Sequence, residues 1–131
     1  MPISSMESFI FNQLIDPATI TDLYENDYAY IEKIFQTALI NLEGDLETVR
    51  FCHSSGDREG LRKAIHKLKP TFGFLGMTVL EQQCSDFEKN CGTGLPVKEL
   101  SQELVVLLQQ IDTGKKAVEE DHRKLIIFNN T

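Results

Sequence analysis

Residues 57–77 read DREGLRKAIHKLKPTFGFLGM, and their spacing decides how the rest of the chain must fold. Leu61, Ala64, Ile65, Leu68, Phe72 and Leu75 recur at threes and fours, the period of one face of an α-helix. Asp57 precedes the pattern as an N-cap, and Gly76 breaks it. On a wheel of about 100° per residue, Arg62, His66, Lys69, Pro70 and Gly73 collect on the opposite, solvent-facing side. Such a stripe is buried only if neighbouring segments supply matching apolar faces.

They do. Upstream, Ile31, Ile34, Phe35, Ala38, Leu39, Leu42, Leu46, Val49 and Cys52 make a long stripe, with Asn26 or Asp27 as cap and Ser54–Gly56 as the end. Gly44 lies inside this helix at a local cost of about 1 kcal/mol. Before it, Asp16 and Pro17 open a short helix to about Tyr24. Downstream, Thr78 and Glu81 have capping-box spacing, and Leu80, Cys84, Phe87 and Cys91 share one side of a fourth helix. After a turn at 92–96, Leu100, Leu104, Leu107, Leu108, Ile111 and Val118 mark a fifth helix from about Val97 toward Arg123, with Gly114 as a candidate kink. The pattern predicts an all-α fold, an antiparallel four-helix bundle with a short N-terminal lid helix. A single domain over 1–131 is expected, its core at about 16–124. The tail, 125–131, is ambiguous between docking through Ile126, Ile127 and Phe128 and fraying.

Composition narrows the function. The chain has 131 residues, 41% of them hydrophobic and 25% charged, which suits one globular domain. A net charge of −7 argues against a nucleic-acid binder, which needs a basic face. No apolar run approaches the roughly 20 residues of a membrane span, and no targeting peptide is evident. Cys52, Cys84 and Cys91, an odd number, read as reduced and mostly buried thiols of a free-standing cytoplasmic protein. A monomer is expected.

Against this acidic background, Arg58, Arg62, Lys63, Lys67 and Lys69 form a basic island that suits a phosphate or an acidic pocket on a partner. His66 lies within it. By wheel geometry alone it is an ordinary surface histidine with a lysine one turn away.

The string from Ile65 to Met77 resembles the signature of histidine-containing phosphotransfer (HPt) domains: a histidine, a lysine three residues on, a glycine at seven and a Leu-Gly pair ending the helix. His66, Lys69, Gly73 and Gly76 fit those positions, Lys67 is also common there, and the helix order of nearly the whole chain fits too. The resemblance implies that His66 is the phosphoacceptor, relaying a phosphoryl group between receiver-domain aspartates in a two-component phosphorelay. It implies a phosphocarrier, not an enzyme with its own ATP site, and no P-loop pattern is present. Its partners would be receiver domains of response regulators and hybrid sensor histidine kinases, with no nucleic acid, membrane or cofactor involved. Lys69 would stabilise phosphoryl oxygens, with Lys67 and Arg62 as weaker, screened contributors. Glu88 is expected to accept from His66 Nδ1–H, leaving Nε2 as nucleophile. Gly73 and Pro70 would give the partner close access, with Phe74, Met77, Ile20 and Leu23 as candidate contacts.

Pro70 departs from the family, which usually has glycine there. Proline removes the N–H that would bond the carbonyl of His66, so a kink with that carbonyl open to water is expected. Three rival readings remain. A sensor-kinase dimerisation helix pair is disfavoured because Lys67 stands where that family has an acid. A helical adaptor that binds a receiver or kinase without transfer is favoured by Pro70. A metal site from His53, Cys84, Cys91 or His122 lacks a matching second ligand pair, and no metal is expected.

Overall fold

Three aspartates set three of the helix starts. In the computed structural model, which describes residues 8–131, Asp16 accepts from the Ala18 N–H at 3.2 Å, Asp27 from Tyr30 at 3.1 Å and Asp57 from Gly60 at 2.8 Å. Each side chain satisfies a backbone donor that the helix start leaves orphaned, an effect of about 1 kcal/mol. From these caps run α1 (Pro17–Tyr24), α2 (Tyr28–Ser54) and α3 (Arg58–Phe74), followed by α4 (Thr78–Cys91) and α5 (Val97–Asn129). No strand occurs among the described residues.

Turns at 55–57, 75–77 and 92–96 are too short to do other than reverse the chain, so α2 to α5 pack as antiparallel neighbours. Their contacts close a ring: α2 on α3, α3 on α4, α4 on α5 and α5 back on α2. Phe35, Ile65, Leu68, Phe72, Leu104 and Ile111 fill the middle, essentially inaccessible to water. Each contributes about 1.5–3 kcal/mol by leaving water. Ile34, Leu39 and Leu108, expected inside, lie at the margin and are only partly buried. The three cysteines are free and buried. Among the described residues no helix is long and apolar enough to cross a membrane.

The lid helix is seated by the α3–α4 turn. Gly76 has φ +71°, and its carbonyl accepts from the Asp16 N–H at 2.8 Å. A Cβ at Gly76 would come within 3.0 Å of the Ile20 side chain, so only glycine lets α1 lie this close. Tyr24 O–H donates to the Phe74 carbonyl at 2.8 Å and pins the other end of α1 to the end of α3.

The structure corrects one expectation and bears on two that the sequence leaves open. Thr78 does not cap α4; Met77 takes the cap position without a side-chain hydrogen bond, because the Gly76 turn aims Met77 inward, where it is 2% exposed. The tail does not fray. α5 is helical to Asn129, Leu125 is 0% exposed, and the Phe128 ring packs 5.6 Å from Phe9 and 5.2 Å from Tyr28. An N-terminal strap supplies Phe9 and the start of α2 supplies Tyr28; buried Asp121 holds the strap by accepting from the Asn12 N–H at 2.6 Å. Ile126 and Ile127 stay exposed. Third, α5 continues through Gly114, which serves close packing: a Cβ there would meet Leu80 at 3.1 Å and Met77 at 3.3 Å.

Candidate functional site

The apolar face of α3 is locked into the core by Leu61, Ile65, Leu68 and Phe72, and this fixes which way the opposite face looks. His66 projects from that face with its side chain 63% exposed. Its Nδ1 lies 2.8 Å and 3.0 Å from the two carboxylate oxygens of Glu88 on α4. Glu88 is brought there because Cys84, Phe87 and Cys91 bury the adjoining face of α4 against the bundle. The Glu88 side chain is only 16% exposed, wedged between the two helices.

Two cations share this carboxylate with the imidazole. Lys69 Nζ is 2.9 Å from Glu88 Oε2, and Arg62 Nη1 is 4.0 Å from Oε1 while its other nitrogens bind Glu59. Partial burial presses the Glu88 pKa upward, but hydrogen bonds from Lys69 and His66 outweigh it, and the carboxyl ends below its ordinary value. An ionised Glu88 selects the tautomer with the proton on Nδ1. Nε2 then carries the lone pair and has no hydrogen-bond partner among the described residues. The neighbouring Cys84 is no competing nucleophile, since burial pushes its thiol pKa up to about 12.

His66, Glu88, Lys69 and Arg62 are thus brought together. Lys67 is not. It faces α2 and pairs with Asp45 at 3.2 Å, because the next residue on a helix points about 100° away from its neighbour. The basic island is also less free than its sequence implies: Arg58 donates to the Cys91 and Thr93 carbonyls, both at 2.9 Å, and so satisfies the end of α4.

Pro70 does not end α3, which continues helically to Phe74. Pro70, Gly73 and the exposed Phe74 line a groove with Thr19, Asp22 and Leu23 of α1, and Glu81 of α4 closes it. Of the expected contact residues, Phe74 and Leu23 are exposed, whereas Ile20 and Met77 are core residues, claimed by the Gly76 turn. Gly73 has a second use that was not foreseen: a Cβ there would lie 2.8 Å from Glu81 Oε2. Sequence reading spent Glu81 on a cap. Its spacing of seven from Glu88, two turns along one helix face, is the signal that would have found it.

Among the described residues no cluster of His, Cys, Asp or Glu is placed to hold a metal. His53 Nε2 instead meets Ser101 Oγ at 3.0 Å.

A protein-family model described as Hpt domain matches residues 31–120, a span that contains the His66–Glu88–Lys69 group. No curated protein and no solved structure matches the chain.

Proposed function

This chain belongs to the Hpt domain family, and from that premise we propose that His66 accepts a phosphoryl group from one receiver aspartate and passes it to another. Hpt domains are phosphocarrier modules of histidine phosphorelays, and their partners are receiver domains. The observation that carries the residue-level reading is the carboxylate of Glu88 at 2.8 Å from Nδ1 of an exposed imidazole. In the step proposed, the Nε2 lone pair attacks the phosphorus of an aspartyl phosphate. The P–N bond forms as the P–O bond to the aspartate breaks, and the aspartate leaves as a carboxylate. The Nδ1 proton stays on the ring, which becomes cationic, and Glu88 opposite balances that charge. Lys69 needs only to rotate from Glu88 to meet the incoming phosphoryl oxygens. Arg62 adds a weaker, solvent-screened attraction. The reverse step returns the group to a second receiver. The carrier brings a positioned nucleophile, and the receiver brings the rest of the chemistry.

The test is phosphorylation of the purified protein by receivers charged with acetyl phosphate. Acid-labile, base-stable label is expected in wild type and absent in His66→Gln; equal label in both refutes the role of His66. A second reading, a non-transferring adaptor, is favoured by Pro70 beside the histidine. It requires receivers to bind wild type and His66→Gln alike while labelling neither.

A further inference from the structure

Resting on the relay reading, we infer that Glu81 and Asp22 form an acidic edge on the docking groove, selecting receivers that carry a lysine or arginine beside an apolar contact. Part of the groove lining is apolar, with Phe74 55% and Leu23 48% exposed. Part of it is acidic. Asp22 from α1 and Glu81 from α4 both line it. Glu81 is only partly exposed, yet its carboxylate has no hydrogen bond or ion pair among the described residues, whereas that of Glu88 two turns on is shared by His66, Lys69 and Arg62.

A position in the first turn of α4 explains an acid by the helix dipole alone. It does not explain why the carboxylate lies over Gly73, in space that any side chain at 73 would need. The arrangement gives the face two ends of opposite sign. At one end Arg62 and Lys69 meet His66 at Glu88, with the exposed Lys63 one turn earlier on α3; at the other, Asp22 and Glu81 line the groove beside Phe74 and Leu23. Gly73 is seven residues from His66, so the ends are separated by about 10 Å along α3.

A receiver presents an acidic phosphorylation pocket, and this chain itself carries a net charge of −7. The pocket is therefore held by the basic end. The receiver surface that follows along α3 must then lie over Gly73 and Glu81. A cation there is paired on docking; an acid there is repelled in a site from which water is being squeezed out.

The test uses purified receiver domains charged with acetyl phosphate, ranked by transfer to wild type and then to Glu81→Gln and Asp22→Asn. For receivers with a cation on the docking face, each variant raises KM about three- to fivefold at low ionic strength, less at high, as expected of one partly exposed pair. The rate at saturating receiver stays unchanged. Glu81→Lys weakens transfer further, and a receiver whose cation is replaced by glutamate restores it. Unchanged KM in both variants, or equal change for receivers with and without the cation, overturns the inference while leaving the relay intact. If no receiver phosphorylates wild-type His66, the relay reading fails and this inference falls with it.

Discussion

Replacing Glu88 with alanine should slow phosphoryl transfer without unfolding the protein, and the structure sets the size of the effect. The carboxylate lies 2.8 Å from His66 Nδ1 and 2.9 Å from Lys69 Nζ. A hydrogen bond to a charged group contributes about 1.5–3 kcal/mol when well shielded. Here the imidazole is 63% exposed, so water screens the pair, and about 1 kcal/mol is the reasonable remainder. If that interaction grows with the positive charge on the ring in the transition state, its loss slows transfer about fivefold. Glu88→Gln keeps an acceptor for Nδ1–H but not the charge, and should fall between alanine and wild type. Single-turnover transfer from a phosphorylated receiver gives the rate, and 15N chemical shifts of the His66 ring give the tautomer. The Nδ1–H form should dominate in wild type and give way to a mixture in Glu88→Ala. Wild-type rate and wild-type tautomer in Glu88→Ala would refute the assignment of Glu88 as the positioning residue.

Pro70→Ala restores the N–H that the His66 carbonyl lacks inside a helix that already continues to Phe74; thermal unfolding should show a gain of up to about 3 kcal/mol. A loss of stability would mean that the proline ring packs usefully. Leu125→Ala removes a side chain that is 0% exposed and should cost about 2–5 kcal/mol in urea unfolding. A change near zero would return the C-terminal turn of α5 to a frayed tail. The folded-state pKa of Glu88 is depressed, so its charge stabilises the fold above the unfolded value of about 4.3 and ceases to as pH falls through the folded value. The stability gap between wild type and Glu88→Gln should therefore be full near neutral pH and shrink below about pH 4. A gap that widens in acid reverses the sign and contradicts the pairing.

What could be read from the sequence was what is local. Asp16, Asp27 and Asp57 cap helices through bonds to residues two or three positions away, so their role is written in adjacent letters. The stripe of α3 fixed which residues face water, and His66 followed from it. What depends on distant partners is left open or misplaced by the sequence. Phe128 packs on Phe9, in a strap more than a hundred residues earlier, and no periodicity announces that contact, so the sequence leaves the tail open between docking and fraying. The resemblance makes Lys67 a screened contributor at the phosphate, but its ammonium pairs with Asp45 on another helix. Thr78 and Glu81 have the spacing of a cap, yet the positive φ of Gly76 turns Met77 into that position and frees Glu81 to reach Gly73. Glu88 was reachable only through family resemblance. Nothing in the local pattern distinguishes it from Glu81, and only the packing of α4 on α3 decides which of the two meets the imidazole.

The most direct measurement is the position of the phosphoryl group on the protein after transfer from a charged receiver. Two-dimensional 15N–1H correlation of the histidine ring, with His66→Gln as control, separates the two phosphohistidine isomers. A single phosphorylated species at Nε2 of His66, with the proton retained on Nδ1 opposite Glu88, is the expected result. Phosphate on Nδ1, on another residue, or equally present in His66→Gln would contradict the site at its centre.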